Sequence, residues 1–104
     1  MDGSLLILVA DEKHMRHIVR LTEAACERGK RVYVHFSGRS VTLIRDPGFR
    51  ALESKACISV CEASFREYGL DDEAQEIPGI ESINLVTQIQ PAELLKQVDR
   101  HIVL

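Results

Sequence analysis

The chain has 104 residues, of which 45% are hydrophobic and 28% charged, so it can bury a core as one globular domain spanning residues 1–104. Its net charge of −3, without Lys and Arg clustered among aromatic residues, argues against a nucleic-acid-binding surface. The apolar run 5–10 is too short for a transmembrane helix, and the three cysteines do not resemble a disulfide framework, so we expect a cytoplasmic protein with reduced thiols.

The first half of the chain alternates apolar runs of strand length with helical patterns. Residues 5–10 are continuously apolar, as in a parallel strand that is covered on both faces. Apolar residues then recur at helical spacing over 15–26, and Gly29 ends this helix. Residues 32–36 form a second strand. The stretch 40–54 is ambiguous: 41–44 fit either a strand or a helix, Pro47-Gly48 forms a turn, and 49–54 resemble a helical turn.

The second half continues the alternation. We expect a strand at 56–60, a helix at 61–68 that Gly69 caps, a polar connector at 71–79 and a strand or extended segment at 83–89. Pro91 then fits the first turn of a helix that runs through residue 98, and 101–104 form a last strand. This order predicts an α/β fold: a three-layer α/β/α domain around a parallel sheet of four to five strands.

Cys61 is the residue that most favours chemistry. It follows a buried strand and starts a helix, where unpaired backbone N–H groups and the helix dipole favour the thiolate. Sites on parallel sheets lie beyond the carboxyl ends of the strands, the edge to which this cysteine belongs. Other candidate binding residues at that edge follow the first three strands: Lys13, His14, Ser37, Gly38, Arg39 and Ser64.

The basic members of that set, Lys13, His14 and Arg39, would favour the thiolate of Cys61 if the strand ends converge, although solvated surface charges are the ordinary alternative. The other two cysteines are interpreted as core residues. Cys57 lies about 13 Å from Cys61 along an extended chain, which is too far for a local disulfide.

The histidines do not predict a metal site. His14 and His17 have i, i+3 helical spacing, but a third ligand does not follow at a convincing interval. His35 lies inside a predicted strand, where a hydrogen-bonded core or edge histidine is the more common case. We therefore expect neither a metal ion nor another cofactor.

Three stretches together resemble the DsrE/DsrF-like sulfur-relay family. The first is Ser59-Val60-Cys61-Glu62-Ala63 followed by Gly69-Leu70, a strand, cysteine, helix and glycine at that family's interval. The others are Phe36-Ser37-Gly38-Arg39-Ser40-Val41 and the terminal stretch 99–104. The likeness spans nearly the whole chain and implies a DsrEFH-like fold.

The resemblance also implies a role for Cys61. In that family the matching cysteine accepts sulfane sulfur as a persulfide and hands it to the next protein. It further implies donor and acceptor proteins as partners, and assembly as a homo-oligomer or as a hetero-oligomer with paralogues. A sulfurtransferase-like relay is thus the first functional hypothesis.

Two other classes of function remain open. Cys61 and Ser64 form a Cys-x-x-Ser pattern at a helix start, which a monothiol redox protein also uses. The chain could instead be a non-catalytic assembly subunit of a DsrE-like complex. A sulfur carrier gains sulfane sulfur at Cys61, a redox protein turns over disulfides, and an assembly subunit does neither.

Overall fold

The computed structural model describes residues 3–87 and 89–104, which form an α/β fold around a five-stranded sheet. All strand pairs are parallel, and the spatial order is β4-β3-β2-β1-β5. The strands are β1 (Ser4–Val9), β2 (Arg31–Phe36), β3 (Cys57–Cys61), β4 (Ile83–Val86) and β5 (Arg100–Val103). The parallel sheet predicted from the alternation of apolar runs is confirmed.

Helices connect successive strands, as parallel pairing requires. The α-helices are α1 (Met15–Glu27), α2 (Phe49–Glu53), α3 (Glu62–Glu67) and α4 (Ile89–Leu95). Short 3-10 helices occupy Gly38–Arg45, Leu70–Glu76 and Ile80–Ser82. No helix among the described residues combines the length and apolar character that a membrane span needs.

Three segments differ in detail from the sequence prediction. The ambiguous stretch is helical, and its first turn is capped where the Ser37 amide donates to Ser40 Oγ at 3.0 Å. The connector after Gly69 is itself largely 3-10 helix. The fourth strand ends at Val86, and Ile89 already belongs to α4.

One face of the sheet is packed under helices, and we call it the covered face. Its alternating side chains join those of α1, α2, α3 and the first 3-10 helix in a single apolar cluster. The strand members that are less than 3% exposed are Ile7, Val9, Val32, Val34, Phe36, Ile58 and Val60. This cluster is the core that the apolar runs predicted.

The opposite face, which we call the open face, carries the other alternating side chains. The strand register places Leu6, Tyr33 and Cys57 in one row across it, and Leu8, His35, Ser59 and Asn84 in the next. Grooves there are lined jointly by strand residues and by α4, but none of the seven residues of α4 is buried. The open face is therefore only partly shielded from water.

Candidate functional site

Cys61 lies where the sequence placed it, at the carboxyl end of β3 and in the N-cap position of α3. It pairs with Val86 of the edge strand, and its side chain has the parity of the open face. Gly69, with φ of 73°, follows α3 in the left-handed conformation that its predicted role as a cap requires. Cys61 is only 2% exposed, yet it does not belong to the apolar cluster of the covered face.

Hydrogen bonds join the loops beside Cys61 into one frame. The Ser40 hydroxyl donates to the carbonyl oxygen of Val9 at 2.6 Å, which ties the turn after β2 to the end of β1. The Gly38 amide donates to the Ser64 Oγ at 2.8 Å, which ties the same turn to α3. Of the predicted binding residues, Ser37, Gly38 and Ser64 thus come together at the carboxyl edge, and Ser40 joins them unpredicted.

The predicted cations lie at the rim of this edge. The backbone amide of Lys13 donates to Asp11 Oδ1 at 3.1 Å, and the exposed Arg39 guanidinium lies 4.0 Å from Glu12. His14 occupies the N-cap position of α1 without a capping bond from its side chain. The loops after β1 and β2 do converge, but carboxylates of the first loop compensate part of the positive charge.

The structure corrects the interpretation of Cys57 as a core residue, because its side chain is exposed. An apolar run predicts a buried strand but does not show which of its faces a helix covers. Cys57 opens β3 on the open face, where α4 leaves it accessible to solvent. Cys26 agrees better with its prediction: it is half-buried against the core, and its Sγ lies 3.3 Å from the Lys55 carbonyl oxygen.

A polar pair lies in the middle of the open face. His35 is 5% exposed, and its Nδ1 lies 2.8 Å from Ser59 Oγ on the neighbouring strand. Burial lowers the pKa of His35, because the charged imidazolium is poorly solvated there. The sequence prediction of a hydrogen-bonded histidine therefore matches the structure, although its partner was not identified. Polar residues alternate with apolar ones in β2 and β3, and this pattern could have indicated that His35 and Ser59 lie on the same face of the sheet.

The side chains that could ligate a metal ion do not cluster in the part of the chain that the structure describes. Within residues 3–87 and 89–104, no group of three His, Cys, Asp or Glu side chains is arranged to hold a metal ion. A scan of family models, a search of curated proteins and a search of solved structures found no match to the chain.

Proposed function

We propose that this protein is a DsrE-like sulfur carrier with three-layer α/β/α architecture, which accepts sulfane sulfur as a persulfide on Cys61. A donor protein supplies the sulfur, an acceptor protein receives it, and the carrier works as a homo-oligomer or with paralogues. In the loading step, the Cys61 thiolate attacks the terminal sulfur of the donor's persulfide. A new S–S bond forms on Cys61 while the donor's S–S bond breaks, and the donor cysteine leaves as a thiolate.

The observation that carries this proposal is the position of Cys61 at the junction of β3 and α3. The carboxyl edge of a parallel sheet is where such folds bind and react. The Val9–Ser40 and Gly38–Ser64 bonds tie the end of β1 and the 3-10 helix after β2 to α3, the helix that starts at this junction. A thiol at this junction, outside the main apolar cluster, can react without disturbing the core.

The burial of Cys61 sets a condition on the reaction. A thiol that is 2% exposed meets another protein only when the residues over it open. Burial also keeps a loaded persulfide away from oxidants and from small thiols in solution. Loading by a partner protein that stabilises the open state should therefore be faster than loading by a small persulfide.

The test is sulfane sulfur bound per folded protein after incubation with a persulfidated cysteine desulfurase. Cys61→Ser should reduce loading to background, because a serine hydroxyl is hardly ionised at neutral pH. Serine is also a favoured N-cap residue, so the free energy of unfolding of Cys61→Ser should differ from that of the wild type by less than about 1 kcal/mol. Cys57→Ser is the matched control on the same strand and should load normally.

The same assay separates the other classes of function. If loading persists in Cys61→Ser but disappears in Cys57→Ser, the sulfur is carried by Cys57 and the proposed role of Cys61 is wrong. Disulfide turnover without sulfane sulfur on the wild-type protein would favour a monothiol redox protein. Absence of both activities would favour an assembly subunit.

A further inference from the structure

A groove runs between the open face and α4, from Val86, the strand partner of Cys61, towards the amino end of β3; Cys61 is not among the described residues that line it. Its volume is about 620 Å³, and the floor is formed by Tyr33, Cys57, Ser59 and Asn84. A second cavity of about 580 Å³ continues it past Tyr33 towards the amino ends of β1 and β2. The two cavities share Tyr33, Leu94 and Gln97 as lining residues, so they adjoin each other, and we call the pair the channel.

The channel combines a thiol with charges of both signs. Arg31 lines its amino end, two residues before Tyr33 on β2, and Tyr33 is the cross-strand neighbour of Cys57. The guanidinium of Arg31 is positively charged at neutral pH, as arginine side chains are in proteins generally. Glu93 of α4 supplies a carboxylate on the opposite wall.

Glu93 is the carboxylate that remains available to a ligand. The other acidic residue of the channel, Asp99, already accepts bonds from the backbone amide of Ser4 at 2.8 Å and from its hydroxyl at 3.3 Å. Among the described residues, Glu93 makes no side-chain hydrogen bond or ion pair. A ligand with one carboxylate, one ammonium group and a reactive sulfur would therefore match Arg31, Glu93 and Cys57.

We infer that this groove binds the disulfide of a small α-amino acid, with Arg31 holding a carboxylate and Glu93 an ammonium group, and that Cys57 exchanges with it. The Cys57 thiolate attacks one ligand sulfur, and a mixed disulfide forms while the ligand's S–S bond breaks. The other half of the ligand leaves as a thiolate and takes up a proton. The protein thiol is oxidised and the departing half is reduced, so the disulfide is the only oxidant required.

The test compares three disulfides on the full chain by intact-mass spectrometry: cystine, cystamine, which lacks carboxylates, and 3,3′-dithiodipropionate, which lacks ammonium groups. Each rate is divided by that of the neutral thiol N-acetylcysteine amide with the same reagent. Cystine should then exceed the other two by about two- to fivefold, the effect that exposed charge pairs support. Cys57→Ser should lose the adduct, whereas Cys61→Ser should keep it.

Charge variants test the two ends of the ligand separately. Arg31→Gln should slow cystine and dithiodipropionate but leave cystamine unchanged, and Glu93→Gln should slow cystine and cystamine but leave dithiodipropionate unchanged. Arg28→Gln is the matched control, since Arg28 is exposed at the end of α1 outside the channel. Equal normalised rates, an adduct on another cysteine, or charge variants that behave like Arg28→Gln would overturn the inference. Sulfane sulfur takes no part, so the outcome is independent of the proposed function of Cys61.

Discussion

The covered and open faces of the sheet come from the same five strands but carry different side chains. The strand residues of the covered face are almost entirely apolar and pack against several helices. The open face places Tyr33, His35, Cys57 and Ser59 in the same central strands, and α4 shields them only in part. Alternation along a strand thus separates the residues that hold the fold from those available for chemistry.

The comparison predicts a large difference in stability between the two faces. Phe36 is fully buried on the covered face, with its ring centroid 6.4 Å from that of Phe49, so Phe36→Ala should cost about 3–5 kcal/mol. Val103 has the parity of the open face and is 67% exposed, so Val103→Ala should cost less than about 0.5 kcal/mol. Urea unfolding followed by circular dichroism measures both.

A milder substitution covers the case in which Phe36→Ala does not fold. Ile58→Val, also on the covered face, should cost about 0.5–1.5 kcal/mol. Similar costs for Ile58→Val and Val103→Ala would contradict the distinction between the two faces.

The two cysteines of β3 sharpen the comparison within the open face itself. Iodoacetamide at pH 7 should alkylate the exposed Cys57 roughly tenfold or more faster than the buried Cys61, which must wait for local opening. This order is the reverse of what the helix-start position of Cys61 alone would favour. Peptide mapping over time measures the two rates, and the rates in urea provide the unfolded reference. Faster labelling of Cys61 in the folded protein would show that the thiol is accessible despite its burial.

The sequence predicted the parallel sheet because periodicity and chain order carry that information. Strands and helices fell within one or two residues of their predicted bounds in most cases, and Gly69 took its expected conformation. The first turn of the ambiguous stretch after β2 is capped by the Ser37–Ser40 bond, a local bond that apolar periodicity does not report.

The candidate site could be predicted only in outline. The junction of β3 and α3 follows from the pattern along the chain, and the Ser37–Gly38 turn and Ser64 lie at the same edge because the strands are parallel. The exposure of Cys57 and the burial of Cys61 do not, because they depend on how much of the open face α4 and its flanking residues cover. The His35–Ser59 bond likewise depends on the register of β2 and β3, which a single sequence does not specify.

The smallest effect that we predict concerns His35, a polar residue of the open face that is nevertheless buried. Its pKa is lowered in the folded protein, so the unfolded chain binds the proton more readily. The stability that neutral His35 contributes should be complete above the ordinary histidine pKa of about 6.5 and be lost as pH falls through the lower folded value. Thermal unfolding between pH 7.5 and 5 should therefore show a falling midpoint.

His35→Gln assigns that pH dependence to its source. The substitution removes the titrating group and should cost about 1 kcal/mol at pH 7.5, the scale of one hydrogen bond to Ser59. The difference in stability between wild type and variant should shrink towards pH 5. Only the wild type has an imidazole that is protonated more readily in the unfolded chain than in the folded protein, so only the wild type loses this stability as the pH falls. His101→Gln on β5 is the control substitution, because His101 is exposed. Parallel profiles for His35→Gln and the wild type would mean that burial of this imidazole does not govern the acid sensitivity of the fold.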